Sequence, residues 1–162
     1  MLPLPSPIVI VADSEAKVAE AQTRLARVGI EGTQGYLSGG MNAWSEAGLE
    51  VAVLPQITVD ELNNLIAGQT DFQVLDVRRP PEYISGHVPG AKAEPLSNLK
   101  ERIPVLELEP SKLTAVICAS GYRSSVATSL LQQHGFANLV NVTGGTNAWI
   151  NAGYPVETPG GI

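Results

Sequence analysis

Ser38 to Ala47 reads SGGMNAWSEA, and Thr143 to Ala152 reads TGGTNAWINA. In both, a Gly-Gly pair leads to Asn-Ala-Trp, then Ala-Gly, then a short apolar end at Leu49 to Val53 or Tyr154 to Val156. Upstream, Pro7 to Ile30 (PIVIVADSEAKVAEAQTRLARVGI) lies over Leu113 to Phe136 (LTAVICASGYRSSVATSLLQQHGF), with one residue of slippage before the Gly-Gly pair. Self-similarity at a spacing of about 105 residues means that one supersecondary unit is used twice. Any fold for this chain has to accommodate that unit in both places.

The unit itself is legible. Each copy opens on a β-branched run, IVIV at Ile8 to Val11 and AVIC at Ala115 to Cys118. Such a run predicts a strand buried on both faces of a parallel sheet. A helix follows; in the second copy Val126, Ala127, Leu130 and Leu131 form its predicted inner face, and Gly135 stands where a C-terminal cap is wanted. Asn138 to Val142 predicts another short strand and the Trp149 segment a closing helix, with Trp44 and Trp149 as matched core anchors.

The second copy also has a front half that the first lacks. Thr58, Val59, Asp60 and Glu61 form a capping box that opens a helix with Leu62, Leu65 and Ile66 inward, ending at Gly68. Phe72 to Val77 (FQVLDV) predicts a buried strand ending in Asp76, Arg78 to Pro81 breaks the pattern, and Gly86 to Leu96 reads as a loop with a brief strand. Strand and helix therefore alternate, as in an α/β domain with a parallel sheet. The division expected is a partial, rear-half module over 1–54 and a complete domain over 55–162. A rear half alone buries little. It is expected to lean on the second domain, a partner chain or an upstream segment, with Met1 close to a truncated start.

Composition narrows the function. At 162 residues and 44% hydrophobic the chain suits one ordinary core or two small ones. A net charge of −6 with scattered Lys and Arg argues against nucleic acid. No apolar run approaches the roughly 20 residues of a membrane span, and the first residues lack a signal-peptide pattern, so the expected location is cytoplasmic. One cysteine and two histidines cannot build a zinc site of the usual four-ligand Cys/His type, and no metal is expected.

That cysteine, Cys118, lies in VICASGYRSS, at the end of an apolar run and before Ala119, Ser120, Gly121 and Tyr122. A lone cysteine is commonly an inert small hydrophobe. Here, however, a small-residue loop closes from a strand end onto a helix start that carries Arg123. Such a loop can turn its N–H groups inward as an anion cradle, and the same field favours a thiolate. Open α/β sheets place ligands outside the carboxyl ends of their strands, where both Asp76 and Cys118 fall.

At LDVRRPPEYISGHVPGA (Leu75 to Ala91), CASGYRS (Cys118 to Ser124) and GGTNAW (Gly144 to Trp149) the chain resembles a rhodanese-type sulfurtransferase over residues 56 to 157. The resemblance implies a rhodanese-like three-layer α/β fold, a central parallel sheet with helices on both faces. It also implies transfer of a sulfane sulfur through a persulfide on Cys118. The loop of Ala119, Ser120, Gly121, Tyr122 and Ser124 would hold the persulfide, and Arg123 would bind the anionic donor. Asp76 and Arg78 are expected to support the strand end by hydrogen bonds, with Arg79 a weaker candidate for donor recruitment. His87 belongs to a structural loop and His134 to a helix end. No cofactor is implied beyond the covalent persulfide. The implied partners are a small sulfur donor such as thiosulfate, a thiol or cyanide acceptor, and a protein sulfur donor or fused upstream domain, because modules of this type resemble the tails of metallo-β-lactamase-fold proteins. The half-module also admits a homodimer.

The first copy departs at the decisive place. Ala12 lies where Cys118 is, Glu15 replaces the glycine and Lys17 replaces Arg123, so this copy is expected to be inactive and to serve structure or docking. Two other readings of the second copy stay open. One is a relay that takes persulfide from a partner without turnover of small donors. The other is a cysteine phosphatase or arsenate reductase, disfavoured because only four residues separate Cys118 from Arg123 where that chemistry uses five.

Overall fold

The computed structural model describes residues 7–158. The chain divides into two units, Met1–Ala52 and Val53–Ile162, taken in turn.

The second unit begins with strand β3 (Gln56–Ile57) and helix α3 (Val59–Ala67), the numbering running on from the two strands and two helices of the first. The Thr58 hydroxyl accepts the Glu61 N–H while the Glu61 carboxylate accepts the Thr58 N–H, so the capping box forms as the sequence predicts. Then come β4 (Phe72–Asp76), α4 (Pro80–Ile84), β5 (Lys92–Ala93), α5 (Leu96–Arg102) with a 3-10 turn, β6 (Leu113–Ile117), α6 (Tyr122–Gln133), β7 (Leu139–Val142) and α7 (Gly145–Asn151). The five strands form one sheet in the order β3-β7-β6-β4-β5, every pair parallel.

Period-two alternation along the strands divides the core. Ala115 and Ile117 of β6 pack with Val59, Leu62, Val74, Val142 and Trp149 under α3 and α7. Val116 and Cys118 point the other way, with Leu75, Leu99, Ala127 and Leu131 under α5 and α6. This is the expected three-layer arrangement of helices, parallel sheet and helices.

Two local expectations are corrected. Val126 is 55% exposed, whereas the buried stripe of α6 is Ser124, Ala127, Thr128 and Leu131. Two hydroxyls can occupy that stripe because each has a local carbonyl within reach, Thr128 with Ser124 and Ser124 with Gly121. The supposed break at Arg78 to Pro81 in fact opens helix α4. Pro80 and Pro81 sit in its first turn, where a missing N–H is no loss.

The first unit comprises β1 (Val9–Ile10), α1 (Glu15–Ala26), β2 (Gly35–Tyr36) and α2 (Gly40–Glu46), with β1 and β2 parallel. Its buried hydrophobic side chains, among the described residues, are Ile10 and Val18. Trp44, expected as a core anchor, is 36% exposed, against 1% for Trp149. The reason is visible in the second unit, where Trp149 is covered by Val59 and Leu62 of α3, an element the first copy does not contain. The local geometry of the repeat nevertheless persists. Each tryptophan indole donates to the carbonyl six residues on, Trp44 to Glu50 and Trp149 to Pro155.

Candidate functional site

β6 ends at Ile117, and the chain turns within four residues to start α6 at Tyr122. Gly121 makes that turn at φ +106°, a backbone conformation that side chains with a Cβ rarely adopt. The carbonyls of the loop point away from its interior because α7 holds them there. The Thr146 N–H donates to the Cys118 carbonyl at 2.7 Å and the Asn147 N–H to that of Ala119 at 3.1 Å. This close approach needs Gly145, where an added Cβ would stand 2.3 Å from the Cys118 oxygen. Gly40 makes the same approach to Ala12 in the first unit, at 2.5 Å. The Gly-Gly pair of the repeat is thus a seat for a strand-to-helix loop, whatever chemistry that loop carries.

With its carbonyls held outward, the loop turns amides toward the sulfur. The Gly121 N–H donates to Cys118 Sγ at 3.1 Å, and the buried Ser124 hydroxyl lies 3.4 Å from Sγ and 2.9 Å from the Gly121 carbonyl. Its single proton can turn to the sulfur when the thiol ionises. Burial opposes that ionisation, since Cys118 is 1% exposed. The Ser124 hydroxyl and the amides of Ser124, Ser120 and Gly121 outweigh burial and hold the thiol below its ordinary pKa. Ala119 is half-buried in the same loop, whereas Tyr122 is 84% exposed and turns its ring to solvent.

Asp76 and Arg78 occupy the adjacent strand end, since Asp76 pairs with Ile117 across β4 and β6. Both are buried. Arg78 Nε reaches both Asp76 oxygens at 3.0 and 2.9 Å, and its terminal nitrogen donates to the Gly86 carbonyl at 2.8 Å. The pair clamps β4 to the loop before β5. His87 stacks on Tyr83 with centroids 3.6 Å apart and puts Nδ1 3.0 Å from the Tyr83 carbonyl, and His134 Nδ1 lies 2.8 Å from the Leu130 carbonyl.

Arg123 has a partner that the sequence reading missed. Its two terminal nitrogens donate to Glu82 of α4, at 2.9 Å to Oε2 and 2.7 Å to Oε1. Arg79 Nε donates to the same Oε2 at 2.8 Å. Hydrogen bonding to Arg123 foremost, with a smaller contribution from Arg79, overcomes partial burial and drives the Glu82 carboxyl well below the usual carboxylate range. The local signal was Arg79-Pro-Pro-Glu82, a capping pattern at the start of a helix hidden behind two prolines. In the first unit the corresponding cation, Lys17, is tied to Asp13 at 2.6 Å and there is no thiol to serve.

No helix among the described residues is long and apolar enough to cross a membrane.

Comparison with known proteins agrees with this geometry. A family model described as a rhodanese-like domain matches residues 58–152. A sulfurtransferase of Allochromatium vinosum is 30% identical over 106 residues, 65% of this chain and 97% of that protein. Among solved structures, a rhodanese-related protein from Thermoplasma volcanium superposes with a TM-score of 0.57 at 41% identity, over 64% of this chain and 97% of that one. A thiosulfate sulfurtransferase from Pseudomonas aeruginosa matches 94% of this chain at 27% identity and a TM-score of 0.57, and the match spans 33% of its length. The alternation of strand and helix, the amide-lined cysteine loop and the matched residues lead to one conclusion: this chain belongs to the rhodanese-like domain family.

Proposed function

We propose that the protein is a sulfurtransferase that moves a sulfane sulfur from thiosulfate or another persulfide donor to a thiophilic acceptor through Cys118. The observation that supports this is the pair of donors on the sulfur, the Gly121 N–H at 3.1 Å and the Ser124 hydroxyl at 3.4 Å, at the start of a twelve-residue helix. They favour the thiolate, which is the nucleophile.

With thiosulfate, the Cys118 thiolate attacks the outer sulfur. A Cys118 S–S bond forms, the sulfur–sulfur bond of the donor breaks, and sulfite leaves with the bonding pair. The inward amides of the loop then stabilise the negative terminal sulfur of the persulfide as they did the thiolate. A thiol or cyanide attacks that sulfur, and the electron pair returns to Cys118 as thiolate. This chain holds no second cysteine, so the acceptor comes from outside it. The first unit is the rear half of such a module, inactive because Ala12 stands in place of the thiol.

Intact mass spectrometry after thiosulfate treatment tests the reading. Wild type is expected to gain one sulfur, about 32 Da, and to lose it to cyanide, while Cys118→Ser gains nothing. An adduct retained in Cys118→Ser would overturn the assignment. Slow loading from thiosulfate with fast loading from a protein or glutathione persulfide would point to relay between proteins.

A further inference from the structure

We propose that Glu82 is the specificity-determining residue of this site: by holding Arg123 it removes the site's preference for doubly charged sulfur donors. The inference rests on the sulfurtransferase reading and concerns which donors that chemistry accepts.

The argument is one of charge and geometry. Glu82 occupies both terminal nitrogens of Arg123, the fork that would grip an oxyanion with two parallel hydrogen bonds. The side chains of Glu82 and Arg123 are 24% and 33% exposed, so their mutual neutralisation is only partly screened by water. Arg78 cannot substitute, because it is locked on buried Asp76 and the Gly86 carbonyl. Arg79 remains at the rim, 79% exposed and itself bound to Glu82. Three guanidiniums therefore face two carboxylates and one thiolate, and the cluster is electrically neutral once Cys118 ionises. A dianion gains no net attraction there over a monoanion.

The test compares two donors that react alike and differ by one charge. Thiosulfate, a dianion, leaves sulfite; methanethiosulfonate, a monoanion, leaves methanesulfinate; each gives Cys118 its outer sulfur. Because electrostatic free energy scales with donor charge, the fold-change for the dianion is about the square of that for the monoanion. In Glu82→Gln, loading rates at low salt are expected to rise about tenfold for thiosulfate and about threefold for methanethiosulfonate, so their ratio rises about threefold. Glu82→Asp, which keeps the charge, is expected to leave the ratio near the wild-type value. Arg79→Gln, at an exposed position that does not threaten folding, is expected to move it the other way. An unchanged ratio in Glu82→Gln, or both donors slowed alike, would show that Glu82 is only structural and overturn the proposal. If Glu82→Gln does not fold, an unchanged ratio in Arg79→Gln overturns it. Failure of both donors to load wild type would instead sink the sulfurtransferase reading, and this proposal with it.

Discussion

At the scale of single residues, the site is a contest between burial and hydrogen bonding over one sulfur atom. Burial opposes the Cys118 thiolate, and the Ser124 hydroxyl with the loop amides reverses the outcome. Ser124→Ala is therefore expected to raise the thiol pKa and slow alkylation by iodoacetamide several-fold at neutral pH, read as an upward shift in the pH midpoint of the alkylation rate. The same group bears on stability. A thiol whose pKa is lowered by folding stabilises the fold above its unfolded value of about 8.5, and that contribution is lost as pH falls through the folded value. Melts of wild type should accordingly gain on those of Ser124→Ala as pH rises toward 9. Glu82 acts in the acid range by the same sign. Its depressed carboxyl contributes above the ordinary value of about 4.3 and loses that contribution as pH falls further. Glu82→Gln should flatten the acid limb of a stability-versus-pH curve, measured by denaturant titration.

At the scale of elements, helix α7 sets the cysteine loop by taking the carbonyls of Cys118 and Ala119 on its first amides. Gly145→Ala would place a methyl group 2.3 Å from the Cys118 carbonyl and 2.6 Å from the Ala119 carbonyl carbon. Backbone has to shift on one side or the other, at a cost of about 3 kcal/mol or more. The expected result is a lower denaturant midpoint together with slower sulfur loading of the fraction that folds. Thr58→Ala removes the cap of α3, which packs in the core on the opposite face of the sheet from Cys118. It is expected to cost about 1 kcal/mol with the loading rate of the folded protein unchanged, and these two variants together separate loop seating from general destabilisation.

At the scale of the whole molecule, the two copies of the repeat differ in what covers them. In the second unit β6 is flanked by β4 and β7, and both sheet faces are packed. In the first, Val9 is 60% and Val11 52% exposed beside a two-stranded sheet. Hydrogen exchange should therefore be far slower for the amides of β4 and β6 than for those of β1 and β2. A chain beginning at Val53 should retain sulfur loading at the full-length rate, as read by the same mass shift.

How much of this was legible in the sequence follows from how local each feature is. The repeat, the capping box, the buried strands of the second unit and the thiol beside small residues and an arginine are written in neighbouring positions, where periodicity and residue chemistry act directly; the run Ile8 to Val11, expected to be buried on both faces, instead leaves Val9 and Val11 exposed, because its sheet has only two strands. Val126 and Trp44 were misread because exposure depends on what lies across from a side chain: a polar-containing stripe is buried on α6, and nothing equivalent to α3 covers Trp44 within its own copy. The pairing of Glu82 with Arg123 bridges 41 positions, and no local pattern encodes it. Sequence alone determined the unit used twice and which copy carries a thiol, and with it the nucleophile proposed here, because those depend on which atoms the chain carries. Only the tertiary structure decided which charges meet. Parallel pairing of β4 with β6 brings Asp76 beside Ile117, so the segments leaving the two strands emerge side by side and the carboxylate of one neutralises the arginine of the other.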